Sequence, residues 1–131
     1  MVTVQDFIAL AEELIQCKNS SIKTRAATSR AYYGAYHAAK YFQESLPSKG
    51  NVINPNAGVH EQLIQCLENP SLPRSDPLHN LSKSIGYMLR RVRKYRTDAD
   101  YEIDLDISFD EAQDALFQAK KIIGKCLSGS L

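Results

Sequence analysis

Arg30 and His37 are the two residues whose chemistry fits their surroundings least. They lie within TRAATSRAYYGAYHAAKYFQES, Thr24 to Ser45, where alanines and aromatic rings otherwise predominate. An imidazole exchanges its proton near neutral pH, and a guanidinium is a permanent cation suited to phosphate. At about 100° per residue, Ala26, Arg30, Tyr33 and His37 share one stripe of roughly 60° on a helix. Two readings are open. Either the pair belongs to a polar network closed inside a bundle, where tyrosine hydroxyls or a carboxylate from another helix serve the arginine, or it faces a cleft between helices.

A second cluster, RRVRKYR, packs Arg90, Arg91, Arg93, Lys94 and Arg96 into seven residues, with no nearby acid before Asp98. Relative to the Ile85–Val92 apolar stripe, Arg90 and Lys94 point outward and Arg91 and Arg93 flank the core. Arg96 falls on the stripe itself, one turn after Val92, so it needs a partner; Asp100 lies four residues on. The outer cations read as a solvated face or as an RNA or phosphate contact. His60 and His79 read as surface or capping residues, and neither joins a serine or cysteine and an acid in a recognisable triad. The six glycines are dispersed, so no phosphate-cradling loop is present. Cys17, Cys66 and Cys126 form no Cys-x-x-Cys pair; they read as reduced thiols of a cytoplasmic protein, with no metal site and no cofactor expected.

The elements that must position these groups are helical. Thr3 with Asp6 resembles a capping box, and Phe7, Ile8, Leu10, Ala11, Leu14 and Ile15 repeat at helical spacing to about Lys18. Asn19-Ser20-Ser21 caps a second helix that ends before Pro47, and PSKGNVINPNA is a loop. A short third helix carries Val59, Leu63, Ile64 and Leu67. Asp76 and Pro77 start a fourth, with Leu78, Leu81, Ile85, Met88, Leu89 and Val92 on one side, running through Arg96 and as far as Asp100. YEIDLDI alternates like a strand, but a lone strand has no partner and reads as an extended connection. Ser108 with Glu111 predicts a capping box for the last helix, whose stripe runs from Ala112 to Leu127. The expectation is an all-α, antiparallel up-and-down bundle of about five helices, one domain over 1–131.

Composition agrees. The chain has 131 residues, enough for one real core, and its net charge of +1 predicts no global attraction to nucleic acid or membrane. The N-terminus lacks a signal-peptide pattern, and no stretch is apolar enough to span a bilayer.

Two segments together resemble a family. SRAYYGAYHAAKYF is similar to the long central helix of HEPN (higher eukaryotes and prokaryotes nucleotide-binding) domains, and RTDADY to their later Arg-x-x-Ala-Asp-Tyr segment. GVHEQL, between them, resembles their histidine-bearing third helix, and the last helix fits as well. The resemblance covers about Ala26 to Tyr101. It implies a helical bundle that often forms a homodimer and acts near RNA or nucleotides, commonly as a toxin paired with a minimal nucleotidyltransferase antitoxin. Catalytic members cleave RNA without metal, through an arginine and a histidine with four to six residues between them, usually near the later segment. Here Arg96 has no such histidine, and Asp100 and Tyr101 stand there instead. Aspartate replaces an imidazole near neutral pH only if its pKa is strongly raised. Arg30 and His37, with six residues between them, meet that spacing on the earlier helix. The expectation is therefore a non-catalytic or weakly active module in which Arg30, Tyr33, His37, Arg90, Arg93, Lys94, Arg96, Asp100 and Tyr101 contact RNA or nucleotide. The alternatives are a metal-independent endoribonuclease using His37 and Arg30, and a purely structural interaction bundle.

Overall fold

A computed structural model describes all 131 residues. Five helices and no strands make up the fold: α1 (Val4–Ile15), α2 (Ser21–Ser45), α3 (Val59–Glu68), α4 (Pro77–Tyr101) and α5 (Phe109–Ser128). Each starts where local chemistry allows. Thr3 and Asp6 close a reciprocal capping box, Ser20 accepts from the Lys23 amide, and Asp76 accepts from the Leu78 amide with Pro77 in the first turn. At Ser108 only the forward hydrogen bond, from the Glu111 amide, forms. Gly129, at φ 67°, takes the left-handed conformation that ends α5.

The central element is α2, which touches all four other helices. Its alanines make that possible: Ala31, Ala35 and Ala39 are wholly enclosed, and short side chains let neighbouring backbones approach on several sides. Tyr32, Tyr36 and Phe42 fill the wider spaces between them. One core cluster of 23 residues draws on all five helices. From α4, Leu81, Ile85, Leu89 and Val92 enter it as their spacing predicts, and Ile122 and Ile123 do so from α5.

The apolar stripes are narrower than their patterns suggest. On α1 only Ile8 and Ala11 are buried. Val59 is 71% exposed at the start of α3, and Leu127 is 77% exposed near the end of α5. Both lie close to a helix end. The α4 helix continues one residue past Asp100 to Tyr101. The rest of YEIDLDI, from Glu102 on, is a connection that contains a turn.

Candidate functional site

At the C-terminal end of α4 the helix meets the middle of α2, and a polar seam runs between them. Arg96 is 11% exposed along its side chain, as expected for a cation on the apolar stripe. Its Nη2 donates to the Tyr33 hydroxyl at 2.7 Å. Its Nε lies 3.2 Å from Oδ2 of Asp100, but that N–H does not point at the oxygen, so the pair is ionic rather than hydrogen-bonded. The same carboxylate oxygen accepts from Ser29 Oγ at 3.1 Å, and Ser29 Oγ accepts from Arg30 Nη2 at 3.3 Å. The seam therefore reads Arg30–Ser29–Asp100–Arg96–Tyr33.

Aromatic faces surround both guanidiniums. Arg96 sits 5.5, 5.3 and 5.5 Å from the ring centres of Tyr32, Tyr33 and Tyr101, and Arg30 lies 5.0 Å from that of Tyr33. Such placement favours a cation by about 0.5–2 kcal/mol. Arg30 makes no ion pair, whereas Arg96 does. Tyr101 is 66% exposed, so one wall of the seam faces solvent.

His37 sits farther along the same α2 stripe, half-buried between Phe7 and Tyr36, with ring centres 5.4 and 5.2 Å away. Burial first, and then the Lys40 cation, lower its pKa below the ordinary 6.5. Near neutral pH it is an uncharged imidazole.

The basic run on α4 is tied up by acids, three of its cations by partners that lie far away in sequence. Arg90 spans Glu61 and Glu68 of α3, each at 2.8 Å, and Arg93 holds the other Glu61 oxygen at 2.7 Å. Arg91 pairs with Asp114 of α5, and Lys94 with Asp98 one turn on. Hydrogen bonding from Arg90, followed by smaller effects, holds the Glu61 carboxyl below its usual range. With Arg96 on Asp100, none of the run's five cations lacks an acid within reach, so the run presents far less free positive charge than its composition suggests.

Two residues outside the sequence expectation shape the site. Arg25, near the start of α2, donates to the carbonyls of Asp98, Ala99, Glu102, Ile103 and Leu105. One guanidinium thus caps the last turn of α4 and pins the following chain, which sets the position of Asp100 and Tyr101. His60 is not a plain surface or capping residue: its ring stacks on Tyr36 at 4.2 Å, and Nδ1 lies 2.6 Å from the Tyr32 hydroxyl. Tyr32 is fully enclosed, so its hydroxyl needs a partner, and His60 supplies it. His79 uses Nδ1 on the Leu72 carbonyl, tying the loop before α4 to its first turn.

The seam, the central position of α2 and the chain-wide match now agree: the family model of the HEPN domain matches residues 4–128. The chain belongs to the HEPN family. No curated protein and no solved structure matches it. Membership extends over α1 and α5, beyond the segments whose motifs resemble it, and is consistent with a function related to nucleotides or RNA. In this HEPN domain the later Arg-x-x-Ala-Asp-Tyr segment meets the central helix through Arg96 and Asp100, and Tyr101 covers Arg96 from the solvent side. No helix is long and apolar enough to cross a membrane.

Proposed function

We propose that this HEPN domain binds the phosphate of a nucleotide or RNA at the α2–α4 seam and does not cleave it efficiently. The observation that carries this reading is Arg30. It is a half-buried guanidinium over an aromatic face, hydrogen-bonded to a serine and left without a carboxylate, while Arg96 beside it is neutralised by Asp100. An anion completes such a site, and the exposed Tyr101 ring together with Tyr33 offers a surface for a base. Lys94 and Arg90 are committed to Asp98, Glu61 and Glu68, so they tune the surface field rather than grip phosphate. By resemblance to its family, the domain works as a homodimer beside a minimal nucleotidyltransferase, in a toxin–antitoxin pair.

Cleavage needs a base and a cation converging on one phosphate, with a second group to protonate the leaving oxygen. Asp100 is occupied by Arg96 and Ser29, and His37 touches Phe7 and Tyr36 rather than Arg30. One feature favours the endoribonuclease reading: burial and the Lys40 cation push the pKa of the partly exposed His37 down, which favours the neutral imidazole that a general base requires. Anisotropy with a labelled single-stranded RNA tests the binding reading. Arg30→Ala should weaken binding about tenfold, or ~1.4 kcal/mol, and the RNA should stay intact in EDTA. Cleavage in EDTA that disappears in His37→Ala would replace this reading with the enzymatic one.

A further inference from the structure

His60 reaches the site from α3, a helix that contributes no other side chain to the seam. Tyr32 is enclosed on every side, and its hydroxyl has one polar neighbour, Nδ1 of His60. Burial, the largest influence on Tyr32, raises its pKa and keeps the phenol protonated. The phenolic proton therefore points to Nδ1, because the surroundings offer no other acceptor. A neutral imidazole that accepts at Nδ1 carries its own proton on Nε2. Nε2 has no partner within the protein and is not among the enclosed polar atoms, so it meets solvent.

The ring is also held in place. Tyr36 stacks on it at 4.2 Å, and Tyr33 meets it edge-on at 6.0 Å. The charged and titratable groups around it are Tyr32, Tyr33, Tyr36 and His37 from α2, and Arg93 and Arg96 from α4. The neighbouring carboxylate of α3, Glu61, is already held by Arg90 and Arg93. Beside this ring, then, stand the guanidiniums of Arg93 and Arg96, and the α3 carboxylate next in sequence is already paired. An outward N–H close to two cations suits an oxyanion.

We propose that His60 is a ligand-contacting residue of this domain: Tyr32 fixes it as the Nε2–H tautomer, and that N–H donates to a phosphoryl oxygen bound beside Arg96. This rests on the binding reading above and deepens it. Tertiary packing brings an imidazole from α3 to the arginine that has none after it on α4. Because Nε2 already holds the proton, His60 acts as a donor and not as a general base. Tyr32 is a positioning residue, acting through His60, and the clamped ring loses little freedom on binding.

The test uses the intact chain and a short fluorescein-labelled single-stranded RNA at neutral pH. His60→Asn keeps an amide near Nδ1 for Tyr32 but removes the outward donor, and should weaken binding about tenfold, as expected for one charge-assisted hydrogen bond. His60→Gln extends an amide N–H toward the Nε2 position and should lose less than about threefold. Nitrogen-15 NMR of the wild-type imidazoles should place the His60 proton on Nε2, and Tyr32→Phe should turn that into a mixture of tautomers. A proton on Nδ1, or His60→Asn binding as tightly as wild type, overturns the proposal. Wild-type chain that shows the Nε2–H tautomer yet binds no RNA or nucleotide overturns the binding reading, and the role of His60 falls with it.

Discussion

Arg96 shows what a single side chain does in this fold. A guanidinium on an apolar stripe is tolerable only if its charge and N–H groups are met, and here Asp100, Tyr33 and three aromatic rings meet them. Burial alone would lower its pKa, but Tyr33, Asp100 and Tyr101 together outweigh that, and the guanidinium is more firmly charged than usual. Lysine keeps the charge but not the fork that reaches both partners. Arg96→Lys should therefore cost about 1–3 kcal/mol in urea unfolding, even though the net charge is unchanged. Stability equal to wild type would mean that the Tyr33 and Asp100 contacts contribute little.

Among the elements, the end of α4 and the seat of α3 are each set by one residue. Arg25 gathers five main-chain carbonyls at the α4 terminus, where the helix dipole also favours a cation. In Arg25→Ala, amides from about Asp98 to Leu105 should exchange faster with deuterium while the α2 core stays protected, because the last turn of α4 loses its cap. Unchanged exchange there would show that the last turn holds itself. Gly86 sets how closely α3 approaches α4. A Cβ at this position would lie 2.8 Å from Cγ and 2.9 Å from the amide nitrogen of Glu68. Alanine favours a helix interior by up to ~1 kcal/mol, yet Gly86→Ala should destabilise by about 1–3 kcal/mol because the Glu68 backbone cannot yield as a side chain can. A rise in Tm would show that α3 shifts freely.

For the molecule as a whole, the two half-buried imidazoles link folding to pH. Burial, then Arg96, Arg93 and His37, lower the pKa of His60 from 6.5, and burial with Lys40 does the same for His37. The unfolded chain therefore takes up these protons first as pH falls. Their contribution to stability is complete above about pH 6.5, declines as pH drops from there through the folded-state values, and then levels off. Glu61, held below its ordinary 4.5, adds a separate loss at lower pH. Thermal unfolding between about pH 8 and 5 should show Tm falling most steeply below 6.5, and His60→Asn should flatten that slope. An identical slope in the variant would mean that His60 does not titrate between the two states.

Much of the fold was legible in the sequence because it rests on local rules. Thr3, Ser20, Asp76 and Ser108 mark helix starts through bonds spanning two or three residues, and the period of Leu81, Ile85, Leu89 and Val92 sets the buried face of α4. Arg96 with Asp100 was legible for the same reason, since four residues bring them together on one helix. The rest depended on which helices pack against each other. Glu61, Glu68 and Asp114 neutralise the α4 cations across gaps of 22 to 32 residues. Arg25 binds main-chain oxygens, which every residue type carries, so no residue pattern could announce them. Likewise His60 meets Tyr32 28 positions away, only because α3 leans over the middle of α2. Short-range spacing determined the helices, the inward faces and the presence of a buried arginine. Tertiary packing alone decided which charges are spent, which imidazole stands at the seam, and that Arg30 is left without an acid.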